Sequence, residues 1–337
     1  MSHLNKMIFG SFLALGTLVA TSSYSWMGMW MGLEINLLSF IPLISTSKNM
    51  LPAESALKYF IAQVLASTIL LLSIVVLSMK VFNLIESSFQ SSLIFNTSLL
   101  LKMGAAPLHF WFPEVMEGLS WLNSMILLTW QKIAPMILLS YSSKTMMLLI
   151  TSIISCMFVS GVMGQNHLSL RKIMAYSSIN HIGWMIAATL YFEVVWMIYF
   201  LIYSVITLNI VIMLKKLNIF FMKQFTLMMN QEPTLKMFFI LNFLSLGGLP
   251  PFLGFFPKWL TIQVMINESF YFLAIVMIVA TLATLYFYMR ITFSTLVLSM
   301  NSTLLTNDPP TYKFFITATN LVTLASLILS TLVFNLL

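Results

Sequence analysis

The strongest constraint on the fold is a nearly unbroken succession of apolar stretches, each about as long as a membrane is thick. A helix that crosses the hydrocarbon core of a bilayer needs about 20 mostly apolar residues. Eleven such stretches lie near residues 7–23, 26–46, 57–80, 92–111, 120–141, 145–165, 171–191, 194–214, 235–262, 270–297 and 313–336. The sequence therefore predicts an all-α polytopic membrane protein with about 11 transmembrane helices and no soluble domain.

The first span has a second interpretation. Lys6 before an apolar stretch, followed by Ala20-Thr21-Ser22, also fits a signal peptide. Because ten further spans follow at once with tight loops, we favour a retained transmembrane helix.

The composition excludes several classes of function. Of the 337 residues, 60% are hydrophobic and only 7% are charged, whereas a soluble domain carries roughly 25% charged residues. A soluble enzyme, a nucleic-acid-binding protein and a disordered tail are therefore excluded. The net charge of +7 does not indicate a nucleic-acid partner, because no basic cluster extends beyond Lys215-Lys216. We relate the basic excess to membrane lipids instead.

Residue types that bind metals are scarce. Cys156 is the single cysteine, which excludes a disulfide, a cysteine zinc site or a cysteine-ligated iron–sulfur cluster within this chain. The four histidines are scattered, at His3, His109, His167 and His181. The sequence therefore predicts no metal site and no cofactor bound by this chain.

The basic residues in the loops predict the orientation in the membrane. Thirteen basic residues remain after Lys102, Lys132 and Lys258, which lie inside or at the edge of spans, are set aside. Eleven of the thirteen lie on the side of the N-terminus, and only Lys80 and Lys144 lie on the other side. Since inner loops are enriched in lysine and arginine, we expect the N-terminus in the cytoplasm or the mitochondrial matrix. The odd number of spans places the C-terminus on the opposite side.

The chain divides into two halves with the same order of spans. Spans 1–5 and 6–10 each contain five helices, and an odd repeat unit makes the halves inverted. The fourth span of each half is broken, near 102–113 and near 246–258. We therefore expect a first five-helix repeat at 1–142, a second at 145–298 and a C-terminal transmembrane helix at 299–337.

Glycine and proline interrupt both of these spans. The breaking residues are Gly104, Pro107, Gly248, Pro250 and Pro251. An ungapped alignment pairs Gly104 with Gly248 and matches two further prolines and a phenylalanine, and it sets Glu114 opposite Lys258. A break inside lipid frees backbone groups that must be buried in protein or hydrated. Both breaks therefore indicate a hydrated path near the midplane.

Four charged residues lie at positions where charge is unfavourable: Glu34, Lys102, Lys132 and Lys258. Each costs about 2.5–3.5 kcal/mol at the bilayer centre, so four facing lipid would cost on the order of 10 kcal/mol. They must face the protein interior, pair with one another or meet water. Interhelical ion pairs alone do not account for them, because one acid cannot neutralise three lysines.

Besides forming ion pairs, the four charged groups inside the spans can take up and release protons. Burial disfavours the charged form of lysine, whereas arginine stays charged, and it is lysine that occupies the spans. Pro135 also removes the helical partner of the Gln131 carbonyl, which leaves a polar group beside Lys132. We rank His181 and His109 lower, as possible relay groups or as satisfied core histidines. Arg290, near the middle of the tenth span, either snorkels or marks a wrong boundary.

Five motifs carry a resemblance to a known family. They are Trp30–Asn36, Lys102–Trp111, Trp130–Pro135, Tyr176–Trp184 and Leu246–Trp259. With them the chain resembles the animal form of the antiporter-like chain 2 family of mitochondrial NADH:ubiquinone oxidoreductase, respiratory complex I. The resemblance covers essentially the whole chain and is weakest over 215–235 and beyond about residue 290.

The resemblance implies a proton-pumping membrane-arm subunit with two inverted five-helix repeats. Glu34 and Lys102 would form the charged pair of the first half-channel, Lys132 the central relay and Lys258 the lysine of the second half-channel. The flavin (FMN), the iron–sulfur clusters, NADH and ubiquinone would be bound by partner subunits. The expected partners are the other membrane-arm and accessory subunits of complex I and membrane lipids, in the mitochondrial inner membrane. The N-terminus would then lie in the matrix and the C-terminus in the intermembrane space.

Two other functions fit the sequence. One is a stand-alone antiporter that exchanges Na⁺ or K⁺ for protons, although such a site would use several buried carboxylates and Glu34 is the only acid in the middle of a span. The other is a purely structural membrane subunit, for which neutralising Lys132 would affect assembly alone.

Overall fold

The computed structural model describes residues 3–45, 50–78, 85–229, 233–250 and 252–297. Within these ranges the chain is helical, and Ser169 and Phe221 form an isolated antiparallel β-bridge. Three features of the sequence analysis lie outside the described residues: the eleventh span at 313–336, Pro251 of the second break and Lys80.

The chain divides into two compact units, Met1–Cys156 and Met157–Leu337. The first unit contains α1 (His3–Ser22), α2 (Trp26–Ile44), α3 (Met50–Ser78), α4 (Ile85–Met103), α5 (Trp111–Gly118), α6 (Trp121–Leu128), α7 (Trp130–Tyr141) and the first part of α8 (Met146–Gln165). The second contains the rest of α8, α9 (Leu170–Tyr191), α10 (Glu193–Lys216), α11 (Met222–Met229), α12 (Pro233–Gly247), α13 (Phe255–Asn267) and α14 (Tyr271–Val297). The repeat boundaries that the sequence suggests stay a prediction.

Seven helical segments of the described ranges are long and apolar enough to cross a membrane. They are α1, α2, α3, the stretch formed by α6 and α7, α8, α10 and α14. Many of their large apolar side chains are exposed, as expected for surfaces that face lipid. The chain is thus an all-helical, polytopic membrane protein, as predicted, whereas the total of eleven spans stays a prediction.

Small residues allow α1 and α2 to pack closely. A Cβ atom on Gly16 would lie 2.8 Å from the backbone nitrogen of Asn36, and one on Gly32 would overlap the backbone of Ala20. Small residues one turn apart let two membrane helices approach until their backbones touch. This contact fixes the position of α2, the helix that carries Glu34.

The second unit contains one helix, α9, that is almost completely buried. Every residue from Ile173 to Leu190 is buried. Its polar side chains lower its mean hydropathy, so α9 is not among the seven segments above. Because α9 is surrounded by protein, groups such as Asn180 and His181 lie inside the unit and not in lipid.

The predicted fifth span, 120–141, is interrupted at Thr129, where α6 ends and α7 begins. The Thr129 hydroxyl donates to the Met125 carbonyl at 2.8 Å, and a threonine that bonds back in this way often bends its helix. Pro135 in α7 also lacks an N–H and crowds the carbonyl of Gln131. The mean hydropathy of residues 121–141 is still that of one membrane span, so hydropathy gives no sign of the interruption.

A short helix, α11, was not predicted. It follows the end of α10 after five residues, and the Gln224 side chain accepts hydrogen bonds from the backbone N–H groups of Phe220 and Phe221 at 3.0 and 3.3 Å. These bonds satisfy donors just before the helix starts. With eight residues, α11 is too short for a search that looks for spans of membrane length.

Candidate functional site

The break after α4 is closed by a glycine in a left-handed conformation. Gly104 has φ +73°, and its N–H bonds the Leu101 carbonyl at 3.1 Å, while the Ala105 N–H bonds the Leu100 carbonyl at 3.0 Å. These two bonds form a Schellman motif, which satisfies carbonyls at a helix end that would otherwise lack partners. Glycine adopts this conformation without the penalty that a Cβ atom brings, so α4 stops at Met103.

The break after α12 has the same local geometry. Gly248 has φ +79°, its N–H bonds the Ser245 carbonyl at 3.0 Å, and the Leu249 N–H bonds the Leu244 carbonyl at 3.4 Å. The second part of this broken span, α13, begins at Phe255 after a close approach in which a Cβ on Gly254 would overlap the Ser245 carbonyl. Both broken spans therefore end their first helix with a Schellman motif.

Polar groups from α3 and α8 hold the backbone of the first break. The Ala106 N–H donates to Cys156 Sγ at 3.1 Å, and the Ala106 carbonyl accepts from Ser155 Oγ at 2.9 Å. The Lys102 carbonyl accepts from Gln63 Nε2 at 3.1 Å. The backbone groups that the break frees thus find partners inside the first unit, as burial in a membrane requires.

Glu34 and Lys102 interact without direct contact. Lys102 is buried in the last turn of α4, and the Glu34 carboxylate acts electrostatically on it and on Tyr59. In the described part of the chain, no ion pair within 4.0 Å joins Glu34 to Lys102. One oxygen of Glu34 is buried and has no hydrogen-bond partner among the described residues. The two groups are therefore close but separated.

Lys132 is the most deeply buried of the three lysines, with about 1% of its surface exposed. Its Nζ lies 5.7 Å from the centroid of the Phe112 ring, within the range of a cation–π contact. The helix is irregular on both sides of it, at Thr129 and at Pro135. The amine thus lies in the apolar interior of the first unit, near the break.

Lys258 contacts the second break directly. Its Nζ donates to the Gly247 carbonyl at 2.8 Å and lies 5.9 Å from the centroid of the Trp184 ring. Gly247 is the last residue of α12, and the carbonyl end of a helix favours a positive charge. A Cβ on Gly248 would lie 2.9 Å from this Nζ, so the glycine also makes room for the lysine.

The two histidines ranked lower occupy different surroundings. His181 is buried in α9, with Nδ1 2.9 Å from the Tyr199 hydroxyl and its ring centroid 4.9 Å from that of Tyr203. His109 Nδ1 lies 3.2 Å from the Pro107 carbonyl, inside the first break. His181 thus belongs to a buried polar cluster, and His109 to the break itself.

The structure separates other charged residues from this set. Arg290 lies inside α14, in the predicted tenth span, but it is exposed and donates from Nη1 to the Gln165 carbonyl at 2.8 Å, at the end of α8. Glu114, which the alignment sets opposite Lys258, forms a half-exposed ion pair with Lys58 at 2.9 Å. The aligned positions therefore carry different contacts in the two units.

Several polar residues of the site were not predicted as site residues. Gln63, Asn36 and Gln131 lie beside Lys102. Asn36 and Gln131 occur in the motifs around Glu34 and Lys132, but a neutral side chain is a weaker sign of a site than a charged one. In the described part of the chain, no group of three or more histidine, cysteine, aspartate or glutamate side chains could hold a metal ion.

Fold and site together define a class of protein. An ionisable group inside a membrane span marks a path for ions or protons by default, and interrupted helices are typical of the transport path in transporters. The chain combines buried lysines with two helix breaks. It is a polytopic membrane protein of the transport type.

Comparisons with known proteins identify the family. The profile of the NADH:quinone oxidoreductase/Mrp antiporter transmembrane family matches residues 23–284. The chain is 49% identical over 313 residues to NADH-ubiquinone oxidoreductase chain 2 of Anopheles gambiae, covering 91% of each chain. The chain therefore belongs to the NADH:quinone oxidoreductase/Mrp antiporter family and, within it, to the NADH-ubiquinone oxidoreductase chain 2 proteins.

Two solved structures have the same fold. A chain of respiratory complex I from Thermus thermophilus matches with a TM-score of 0.88 at 22% identity, covering 99% of this chain and 80% of that one. A chain of the Mrp complex from Dietzia sp. DQ12-45-1b matches with a TM-score of 0.77 at 14% identity, covering 96% and 74%. At these identities the likeness concerns the fold.

Proposed function

We propose that this chain is a core membrane-arm subunit of a proton-pumping NADH:ubiquinone oxidoreductase in the mitochondrial inner membrane. Relatives of high identity bear the name of that enzyme's chain 2. The observation that carries the proposal is the burial of three lysines that the sequence predicts to lie in spans, one of them bonded to the carbonyl at a helix break. Such amines are unfavourable in a membrane, and their role in moving protons accounts for their presence.

In this proposal the redox chemistry takes place in other subunits. FMN, the iron–sulfur clusters, NADH and ubiquinone are bound by partners in the membrane and matrix arms, and this chain contributes the proton path. The N-terminus faces the matrix, in keeping with the excess of basic residues in loops on that side.

The first unit would hold and release a proton through Glu34 and Lys102. While the ionised carboxylate is near, its charge favours the protonated amine. A change of charge in a neighbouring subunit that moves or neutralises Glu34 would leave the buried Lys102 ammonium without a nearby negative charge, and Lys102 would release its proton. Because the Glu34 carboxylate and the Lys102 amine are not in direct contact, small movements would change the strength of their electrostatic attraction.

Lys132 and Lys258 would receive protons in turn. Lys132 lies buried in the first unit and would take up the proton that leaves Lys102. Lys258 is stabilised when protonated by the Gly247 carbonyl, so a proton stays there until that bond opens. The order from Lys102 through Lys132 to Lys258, with His181 or His109 as further relay groups, remains our prediction from the family resemblance.

A Lys132→Met variant in the assembled complex tests this function. Methionine keeps the length and removes the amine, so we expect fewer protons pumped per NADH oxidised in reconstituted vesicles. If the subunit is purely structural, the variant should give less assembled complex but normal pumping by the assembled fraction, and that result would contradict the proposal.

A second experiment tests the stand-alone antiporter. If the chain is such an antiporter, the isolated chain should exchange Na⁺ or K⁺ for protons in vesicles, and exchange at a physiological rate would also contradict the proposal.

A further inference from the structure

A small cavity beside Lys102 lies where four helices of the first unit meet. Its volume is about 10 Å³, and its polar lining comes from Asn36 of α2, Tyr59 and Gln63 of α3, Lys102 of α4 and Gln131 of α7. A cavity needs a volume on the order of 10 Å³ and polar partners to hold one water molecule. This cavity has the size and the lining for a single water.

One wall of the cavity fixes the position of Lys102. Gln63 is buried, and its Nε2 donates to the Lys102 carbonyl at 3.1 Å. The bond ties the last turn of α4 to α3, so the lysine side chain starts from a fixed point. Glu34 acts on the amine without forming an ion pair within 4.0 Å.

The opposite wall is a pair of amide side chains. Gln131 Nε2 donates to Asn36 Oδ1 at 2.9 Å and so joins α7 to α2. Gln131 and Pro135, one turn apart, form the face of α7 that borders the cavity, while Lys132 is directed towards Phe112. The amide pair therefore lies where the cavity borders the segment that carries Lys132.

The pair keeps hydrogen-bonding capacity towards the cavity. An amide side chain offers two N–H donors and a carbonyl acceptor, and the bond between the two uses one donor of Gln131 and the oxygen of Asn36. The Asn36 nitrogen can still donate and the Gln131 oxygen can still accept. Amides do not take up a proton at ordinary pH, so the pair can orient a water but cannot replace it as a carrier.

We propose that Asn36 and Gln131 are positioning residues that orient one water molecule to receive the proton of Lys102. The inference rests on the function proposed above. The water accepts a hydrogen bond from the Lys102 ammonium and donates one to the Gln131 oxygen. On transfer, an N–H bond of Lys102 breaks and an O–H bond of the water forms. One of the water's other O–H bonds then breaks as its proton passes to the uncharged amine of Lys132 in α7, the next carrier in the proposed function, where an N–H bond forms, so charge and atoms balance.

An exchange of the two side chains tests this role. Asn36→Gln lengthens one partner, Gln131→Asn shortens the other, and the double variant keeps both amides and their combined length. We expect each single variant to reduce the protons pumped per NADH about two- to tenfold, because small misplacements of a positioning group slow a transfer step strongly. The double variant should recover most of the loss. Asn123→Gln, which alters an amide bonded to the Leu43 carbonyl outside the cavity, is the matched control.

The outcomes separate this inference from the proposed function. Single variants that pump at the wild-type ratio, or a double variant that recovers nothing, would overturn the positioning role. If Gln131→Asn does not assemble, Gln131→Met tests the same point, since it keeps the length and removes the oxygen; a wild-type ratio there is equally contradictory. Lys102→Met is measured alongside: normal pumping by that variant refutes the proposed function, whereas a loss there with normal amide variants refutes only the inference about the pair.

Discussion

At the scale of single residues, some groups of the site can be predicted from the sequence and others cannot. Lys102, Lys132 and Lys258 stand out in the sequence because a charge in a membrane span is unfavourable, and the structure places all three in buried positions. Neutral Gln63 and Gln131 carry a weaker signal, because an uncharged amide costs less in an apolar environment than a charged group does. Their role becomes visible only when the hydrogen bonds are known.

Gly248 gives a prediction at this scale. Gly248→Ala should destabilise the complex, because a residue with a Cβ in the left-handed conformation costs roughly 1–2 kcal/mol and the added atom meets Lys258. We expect a lower temperature of thermal inactivation together with fewer protons pumped per NADH. Gly10→Ala is the control, since a Cβ on Gly10 meets nothing within 4 Å. Equal inactivation temperatures for the two variants would contradict this account of the break.

At the scale of helices, breaks with glycine were predictable and the break without it was not. Gly104 and Gly248 predict the ends of α4 and α12, because glycine adopts the left-handed conformation at a helix end without penalty. The interruption at Thr129 depends on a side-chain hydrogen bond and on a proline six residues later. Neither feature changes the hydropathy on which the prediction of spans rests.

The contact of α1 with α2 gives a prediction at the scale of helices. Gly32→Leu should force the two helices apart, because even a Cβ there overlaps the backbone of Ala20. Overpacking typically costs about 1–3 kcal/mol, and more where backbones touch. We expect less assembled complex on native gels than for Gly10→Leu, a change to the same residue on an open helix face. Wild-type assembly of the Gly32 variant would show that the contact is not needed.

At the scale of the whole molecule, the sequence predicts the membrane class and the orientation in the membrane from different signals. Apolar length gives the class, which seven segments of the described structure bear out. Loop charge gives the orientation, which stays a prediction. The predicted span at 171–191 corresponds to α9, whose polar residues are buried in the protein, so burial inside protein takes the place of burial in lipid.

The orientation can be measured by proteolysis. Lys215 and Lys216 are exposed at the end of α10, on the side where the basic residues concentrate. Trypsin should cut there in inverted inner-membrane vesicles, which expose the matrix side, and should leave the site intact in mitoplasts. Cleavage only in mitoplasts would reverse the predicted orientation.

The most direct measurement of the central claim is the number of protons pumped per NADH oxidised by complex that carries Lys102→Met. Lys144→Met, which removes an exposed lysine outside the spans, is the matched control for the substitution. The account predicts a lower ratio for Lys102→Met and the wild-type ratio for Lys144→Met. A wild-type ratio with normal turnover in the Lys102 variant would contradict the claim that the buried lysines carry protons.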